Sequence, residues 1–276
     1  MNIKAKENKA PATKTLSERE RRILTIVMWS IPVLFFLLLE GGLRLFGYGD
    51  SYPLFQPVSV APDYLLQNRD VARRYFIREQ RVPTGIGDAF KAEKDSLTTR
   101  IFVQGGSSAA GYPYYFGGSF PRMLEQRLQQ TFPNRSIEVV NTGLAAVNSY
   151  TMLDFADEII EQEPDAVLIY AGHNEFYGAL GVGSVESMGK YRAVVNLYLS
   201  LQDFRTVQAL RDLLIKIGSL FSGREKGQLP GQTLMERMVG ERQIPYGSRD
   251  YRLGLAQFRG NLRALINRYR DNEIPV

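Results

Sequence analysis

The chain has 276 residues, of which 44% are apolar and 23% charged, enough to bury a substantial core and too apolar for a disordered chain. Its net charge of +5 is concentrated at the start: the first 22 residues carry +4 and the other 254 carry +1. A nearly neutral body argues against a nucleic-acid-binding domain, which needs a basic face in its folded part. The absence of Cys excludes disulfides, Cys-ligated zinc and thiol catalysis, and a single His, His173, cannot build a His-rich metal site, so neither a metal nor a cofactor is expected.

In chain order, residues 1–22 are charged and rich in Lys, Ala and Glu, the pattern of a solvated cytoplasmic tail. Ile23–Leu39 follows without a charge, and Gly41, Gly42 and Leu43 can extend it, giving a predicted membrane-anchoring helix over 23–43. A buried core helix and a cleaved signal peptide are the competing readings; no Ala-x-Ala site follows the run. Seven Lys/Arg precede the helix, with Arg44 soon after it, which orients the N-terminus inside. The rest of the chain is then expected outside the cytoplasmic membrane, periplasmic or extracellular. Residues 44–98 form a connecting region broken by Pro53, Pro57, Pro62 and Pro83, whose aromatics suggest packing on a domain.

From Thr99 the rhythm becomes strand–helix–strand–helix–strand: Arg100–Gln104, Phe120–Thr131, Ser136–Asn141, Ser149–Gln162 and Asp165–Ala171. Short apolar strands alternating with helices predict βαβ units and a doubly wound parallel sheet in an α/β domain over 99–276. Two long amphipathic helices are expected over 191–220 and 251–270. Glu273–Val276 reads as the start of a fourth strand, so the domain is expected to be incomplete and to continue past Val276, with room for further modules.

In open α/β sheets, ligands bind beyond the carboxyl ends of the strands. Three polar clusters stand there: Gly105–Gly111, Asn141–Asn148 and Gly172–Glu175. A Ser hydroxyl, backbone N–H groups and an Asn amide converging on one crevice are the parts of acyl transfer, a nucleophile and donors for the developing oxyanion.

The three clusters resemble, in order, the first three sequence blocks of SGNH (GDSL-type) hydrolases, a family with a flavodoxin-like three-layer α/β/α fold. The resemblance covers roughly residues 99–180 and 250–276 and rests on the three blocks combined. It implies Ser107 as nucleophile, with Gly106 where the family usually has Asp. It also implies an oxyanion hole made by the backbone N–H of Ser107, the backbone N–H of Ala146 and the side-chain amide of Asn174. Ala146 stands where the family usually has Gly, so any requirement for positive φ would strain it. Gly106, Gly143, His173 and Glu175 are expected to flank the site. The family's fourth block, an Asp-x-x-His that supplies the general base, is not found in these residues and is expected beyond Val276; His173 lies beside the oxyanion Asn and reads as a wall or structural residue.

Other readings of the same residues are weaker. Gly105–Gly111 lacks the Lys-Ser/Thr of a phosphate-binding Walker loop, and Gly178–Gly183 reads as a flexible turn. Tyr112, Tyr114, Tyr115 and Phe116 could line an acyl or sugar pocket or simply pack. Asp157, Glu158, Glu161, Glu163 and Asp165 read as a solvated face. The span from about 182 to 246 is a helical insertion with an apolar stripe through Val194, Val195, Leu197, Leu201, Phe204, Val207, Leu210, Leu214 and Ile217; it could pack as core, cover the site as a lid, or lie on a membrane. The sequence thus predicts a membrane-tethered serine hydrolase or acyl-transfer enzyme acting on esters, with O-acylated envelope glycans as a suggested substrate. The alternatives are a non-catalytic module binding a carbohydrate or partner, and an anchor for C-terminal modules.

Overall fold

The structure is a computed structural model that describes residues 17–76, 81–184, 191–221 and 243–276. It divides into two compact units, one of residues 1–49 and 204–216 and one of residues 50–203 and 217–276. The tail before Ser17 and residues 185–190 and 222–242 of the expected insertion lie outside the described residues.

In the first unit, α1 (Glu18–Leu45) is a 28-residue helix that starts in the expected tail. Its start follows from a capping box: Ser17 Oγ accepts from the Glu20 N–H, and the Glu20 carboxylate accepts from the Ser17 N–H at 2.8 Å. None of its residues is buried, and every large apolar side chain from Ile23 to Leu38 is exposed. It is long and apolar enough to cross a membrane. Gly47 and Gly49, both at positive φ, turn the chain after it. The remainder of this unit, Phe204–Lys216, carries most of α7 (Arg205–Phe221).

The second unit opens with an antiparallel three-stranded sheet of β1 (Phe55–Val58), β2 (Ala61–Gln67) and β3 (Ala89–Lys91), in the order β1-β2-β3. No strand was expected in this Pro-rich region. Pro57 is accommodated next to a register irregularity at Pro57/Val58, where a missing N–H does least harm. A parallel sheet follows, of β4 (Thr98–Gly105), β5 (Ser136–Asn141) and β6 (Ala166–Tyr170), with β4 in the centre. All its pairings are parallel, in the register Phe102↔Val140 and Phe102↔Val167. The strands match the sequence expectation to within two residues.

Alternation along these strands feeds two separate clusters. Phe102, Val140 and Val167 join Tyr150, Phe155, Ile159, Leu265 and Tyr269, side chains of α4 (Ser149–Asp154), α5 (Ala156–Ile160), α8 (Arg249–Asp271) and the turn between α4 and α5. Val103, Ile137 and Val139 join Leu124 and Leu128 of α3 (Phe120–Thr131). Period-two burial by helices on a parallel sheet is the α/β logic read from the sequence.

Several expected elements differ. The predicted 149–162 helix is broken at Phe155 into α4 and α5, and the predicted 191–220 helix is two, α6 (Arg192–Leu201) and α7, separated at 202–204. Glu273–Val276 is not a paired strand; Glu273 stands at positive φ, and one bond, from the Val167 N–H to the Pro275 carbonyl at 2.9 Å, brings the segment alongside β6. Gly178–Gly183 is no loose turn: Ala179 and Leu180 are fully buried, and a Cβ on Gly181 would come 2.6 Å from the Phe176 carbonyl oxygen. The acidic stretch is not simply solvated either. Glu158 accepts from the Leu54 N–H and Arg74, Asp165 accepts from the Arg100 N–H and pairs with Lys94, and Asp157 pairs with Arg268.

One buried cation ties the two sheets. Arg100 in β4 is 1% exposed, yet its guanidinium donates to Glu138 of β5 at 2.9 Å, the Gln162 carbonyl at 3.0 Å and the Lys91 carbonyl of β3 at 2.7 Å, beneath the Phe90 ring. A buried charge is tolerated when it is paired and its donors are satisfied.

Candidate active site

The carboxyl end of central strand β4 runs into Gly105-Gly106 and then α2 (Ser107–Ala110), a single turn whose first residue is Ser107. The turn is tight because glycine allows it. A Cβ on Gly105 would lie 2.6 Å from the Ala109 Cβ and 2.8 Å from the Tyr170 carbonyl oxygen. Gly111 closes α2 at φ 96°, where an added Cβ would lie 2.3 Å from the Tyr115 carbonyl oxygen. Ser107 is half-buried and Ser108 exposed.

The second loop is fastened to the first. Asn141, the last residue of β5, donates through its amide to the Ala109 carbonyl at 2.7 Å and accepts from the Gly143 N–H at 2.9 Å. The Leu144 N–H donates to the Gly105 carbonyl at 3.1 Å. Gly143 is therefore a packing position: a Cβ there would meet the Ala110 N at 2.5 Å, pushing α2 away. Asp88, 5% exposed, supports this clamp from the β3 side by accepting from the Asn141 N–H at 2.9 Å and pairing with Arg122. Burial pushes its carboxyl up to about 6, against the opposing pull of the Asn141 N–H and Arg122.

Ala146, further along this loop, is buried and sits at φ 56°, in the left-handed region. An alanine there is strained by about 1–2 kcal/mol. The loop holds it: the Ala146 carbonyl accepts from the Ala179 N–H at 2.8 Å, while no acceptor among the described residues meets the Ala146 N–H.

The third loop follows β6 through Gly172 at φ 122°. It brings His173 and Asn174 onto the first loop. A Cβ on Gly106 would lie 2.8 Å from Asn174 Nδ2 and 2.8 Å from His173 Nε2, so the space next to Gly106 is already filled by these two side chains. Asn174 is 5% exposed, and its Nδ2 is one of the few buried side-chain polar atoms without a hydrogen-bond partner. Its backbone is pinned by the Gly178 N–H, which donates to the Asn174 carbonyl at 2.6 Å. The imidazole of His173 is exposed beside Tyr170 and has no hydrogen-bond partner among the described residues; Ser107 Oγ likewise has none. The nucleophile–base contact of a triad is thus not formed by His173.

Glu175 turns away from Ser107. Its carboxylate accepts from the Ser149 N–H at 2.9 Å and from Ser149 Oγ at 2.7 Å, capping α4, and burial raises its pKa. Ser149 Oγ in turn accepts from Asn261 Nδ2 at 3.0 Å, and Asn261 Oδ1 accepts from Arg192 Nε at 2.6 Å. This buried row was not anticipated. Gln257 and Asn261 share the buried face of α8 with Leu265 and Tyr269, and a polar pair at i, i+4 on an apolar stripe is the signal that could have revealed it.

At the rim, Tyr112, Tyr114 and Tyr115 are all exposed, with Tyr115 at φ 63°, and Gly118 lets the loop close over Tyr114. Among the described residues no group of His, Asp and Glu could hold a metal ion.

Comparison by sequence finds no family model and no curated protein that matches the chain. Comparison of structures finds similarity to esterases and lipases. AlinE4, an SGNH-hydrolase family esterase, shares 19% identity over 40% of this chain and 56% of its own, with a TM-score of 0.27. The chain thus spans little more than half the length of AlinE4. The psychrotrophic esterase EstA from a Pseudoalteromonas species shares 18% identity over 64% of this chain and 75% of its own, with a TM-score of 0.28. A lipase/acylhydrolase from Enterococcus faecalis shares 14% identity over 64% and 74%, with a TM-score of 0.28.

Proposed function

We propose that the second unit is the front part of a doubly wound, three-layer serine hydrolase domain that cleaves or transfers ester-linked acyl groups. The observation that carries this reading is the buried, unpartnered amide of Asn174 held against Gly106, one residue before Ser107. A buried donor left without an acceptor is destabilising by about 1–3 kcal/mol, so its retention needs a compensating use. An oxyanion that exists only during reaction is such a use, because donors fixed beforehand stabilise the charge without reorganising.

In this reading Ser107 Oγ attacks the ester carbonyl. The backbone N–H groups of Ser107 and Ala146 and the amide of Asn174 receive the negative charge, and the acyl group is carried on Ser107 until water or an acceptor hydroxyl removes it. The strained φ of Ala146 turns its N–H away from a helical or strand partner. Gly106, Gly143, His173 and Glu175 then have distinct duties. Gly106 leaves room for Asn174, Gly143 admits α2, His173 walls the entrance, and Glu175 positions the third loop through Ser149. His173 has no orienting acceptor among the described residues, so this reading does not make it the general base, a role that the resemblance assigns to an Asp-x-x-His segment. With α1 spanning the cytoplasmic membrane and its basic tail inside, the domain would face O-acylated glycans of the envelope.

The test is Asn174→Ala in the protein expressed from its full reading frame. The expected result is a kcat on ester substrates lowered by about 10²–10³ with KM little changed. Near-normal kcat would remove Asn174 from this role. A protein that binds acylated glycan with no turnover, and with affinity untouched by Ser107→Ala, would instead be a binding module.

A further inference from the structure

We infer that α7 is an interfacial helix, lying on the membrane surface at the C-terminal end of α1 with its apolar stripe in the lipid. The inference rests on α1 crossing the membrane, and it adds a second, lateral contact that the hydrolase reading does not need.

The amphipathic pattern of α7 is inverted relative to its packing. At 100° per residue, Val207, Leu210, Leu213 and Leu214 fall on one side, and Arg205, Gln208 and Asp212 on the other. In a helix of a water-soluble domain the first set is covered and the second exposed. Here the polar set is held by the rest of its unit. The Arg205 and Thr206 N–H groups donate to the Glu40 carboxylate at 3.0 and 2.8 Å, as does Thr206 Oγ1 at 2.9 Å, so a side chain of α1 caps α7. Gln208 packs against Gly49 so closely that a Cβ there would come 2.1 Å from its Oε1. Tyr48 donates to Asp212 at 2.9 Å. Three of the four apolar residues face outward: Leu210, Leu213 and Leu214 are 57%, 53% and 59% exposed, while Val207, in the first turn, is half-buried.

What covers such a stripe is fixed by where the helix begins. Glu40 is the residue that ends the uncharged run of α1, so its carboxylate stands where hydrocarbon gives way to head groups. The residue that caps α7 therefore sets its first turn at the interface. An amphipathic helix at that depth buries its apolar face among the upper acyl chains. The apolar surface of α7 would then add to that of α1, whose large apolar side chains from Ile23 to Leu39 are exposed.

The experiment uses residues 1–276, which are free of Cys, reconstituted in vesicles of phosphatidylcholine and phosphatidylglycerol. Leu210→Cys, Leu214→Cys and, in α1, Leu34→Cys are each labelled with one fluorophore. Each is quenched either by a nitroxide on the acyl chain or by a water-soluble nitroxide. The expected result is loss of fluorescence to the lipid nitroxide, and none to the aqueous one, at all three positions. Aqueous quenching at 210 and 214 with lipid quenching at 34 would overturn the inference and leave the span intact. Protection from both quenchers at 210 and 214 would mean that protein covers the stripe, and would overturn it equally. Aqueous quenching at 34 would remove the span, and the inference with it. Ester turnover by the unlabelled protein from its full reading frame, with and without Asn174→Ala, reports the hydrolase reading separately.

Discussion

Gly106→Ala is the smallest change that separates an oxyanion site from a merely packed loop. The added methyl would lie 2.8 Å from both Asn174 Nδ2 and His173 Nε2. Ordinary contact begins near 3.4 Å, so both side chains must retreat by at least 0.6 Å or the loop must open. His173 is exposed and can swing away; Asn174 is buried, and its backbone is fixed by the Gly178 N–H, so its amide must rotate. A hydrogen bond displaced by that amount loses most of its strength toward a developing charge. The expected loss in kcat is therefore close to that of removing the donor, about 10²-fold or about 2.7 kcal/mol. Stability should fall by no more than about 1–3 kcal/mol, the cost of an overpacked site, because the amide has no hydrogen bond among the described residues to lose. The assay is steady-state hydrolysis of an activated ester by the protein from its full reading frame, with thermal unfolding as the control. Unchanged kcat in a folded Gly106→Ala protein would refute the placement of the oxyanion beside Gly106.

Three further outcomes follow from the same geometry. Ser107→Ala should abolish labelling by a fluorophosphonate probe while Ser108→Ala leaves it largely intact, and the 276 residues alone should label poorly, since His173 has no acceptor to orient it; equal loss from either serine would leave the nucleophile unassigned. Ala146→Gly should shift stability by less than about 1 kcal/mol, because relief of about 1–2 kcal/mol of left-handed strain offsets a lost methyl and a more flexible unfolded chain. Ala156→Gly, equally buried but helical, should destabilise by about 1.5 kcal/mol, and equal losses at the two sites in chemical denaturation would contradict the strain at Ala146. Asp88, raised to about 6 by burial, favours the folded state most when protonated. Its contribution is fully present below its ordinary 3.8 and lost as pH rises through 6, amounting to roughly 3 kcal/mol. Asp88→Asn should remove that part of the pH dependence, and denaturation curves at pH 4 and pH 7 with the same wild-type-minus-variant difference would show that Asp88 titrates normally.

The parallel sheet and the three loops were legible because they depend on short-range chemistry. Strands such as Ser136–Asn141 are short β-branched runs, here with Ile137, Val139 and Val140, and a Gly-containing segment after each strand is what a crossover at the carboxyl edge requires. The sequence left open whether Ala146 needs a positive φ, and the structure places it at φ 56°. The β1–β3 sheet was not legible, because Pro57 and Pro62 argue against strands and only pairing with distant Ala89–Lys91 overrides them. Long-range partners also decide the acids. Nothing near Glu158 in the sequence announces that it holds Leu54 and Arg74, and nothing near Glu175 announces Ser149.

Glu175 carries the more general point. By motif it belongs to the site, yet its carboxylate is spent on the N-terminus of α4, where Ser149 is held a second time by Asn261. No residue separates Asn174 from this anchor: Asn174 and Glu175 are consecutive, so rotating the peptide unit between them moves both. A buried carboxylate bonded to a helix start is a stiff restraint, since breaking it leaves an unpaired charge in a desolvated position. The third loop is thereby held by Glu175 and by the Gly178 N–H, with the Asn174 amide as its buried unsatisfied side-chain donor among the described residues. Glu175→Gln keeps the size and the acceptor for the Ser149 N–H, but puts an NH2 where the Ser149 hydroxyl found its acceptor. It should lower kcat several-fold while leaving KM and Ser107 labelling in place, because it loosens the donor without touching the nucleophile. A Glu175→Gln protein with unaltered kcat would show that the loop holds Asn174 without help from the carboxylate.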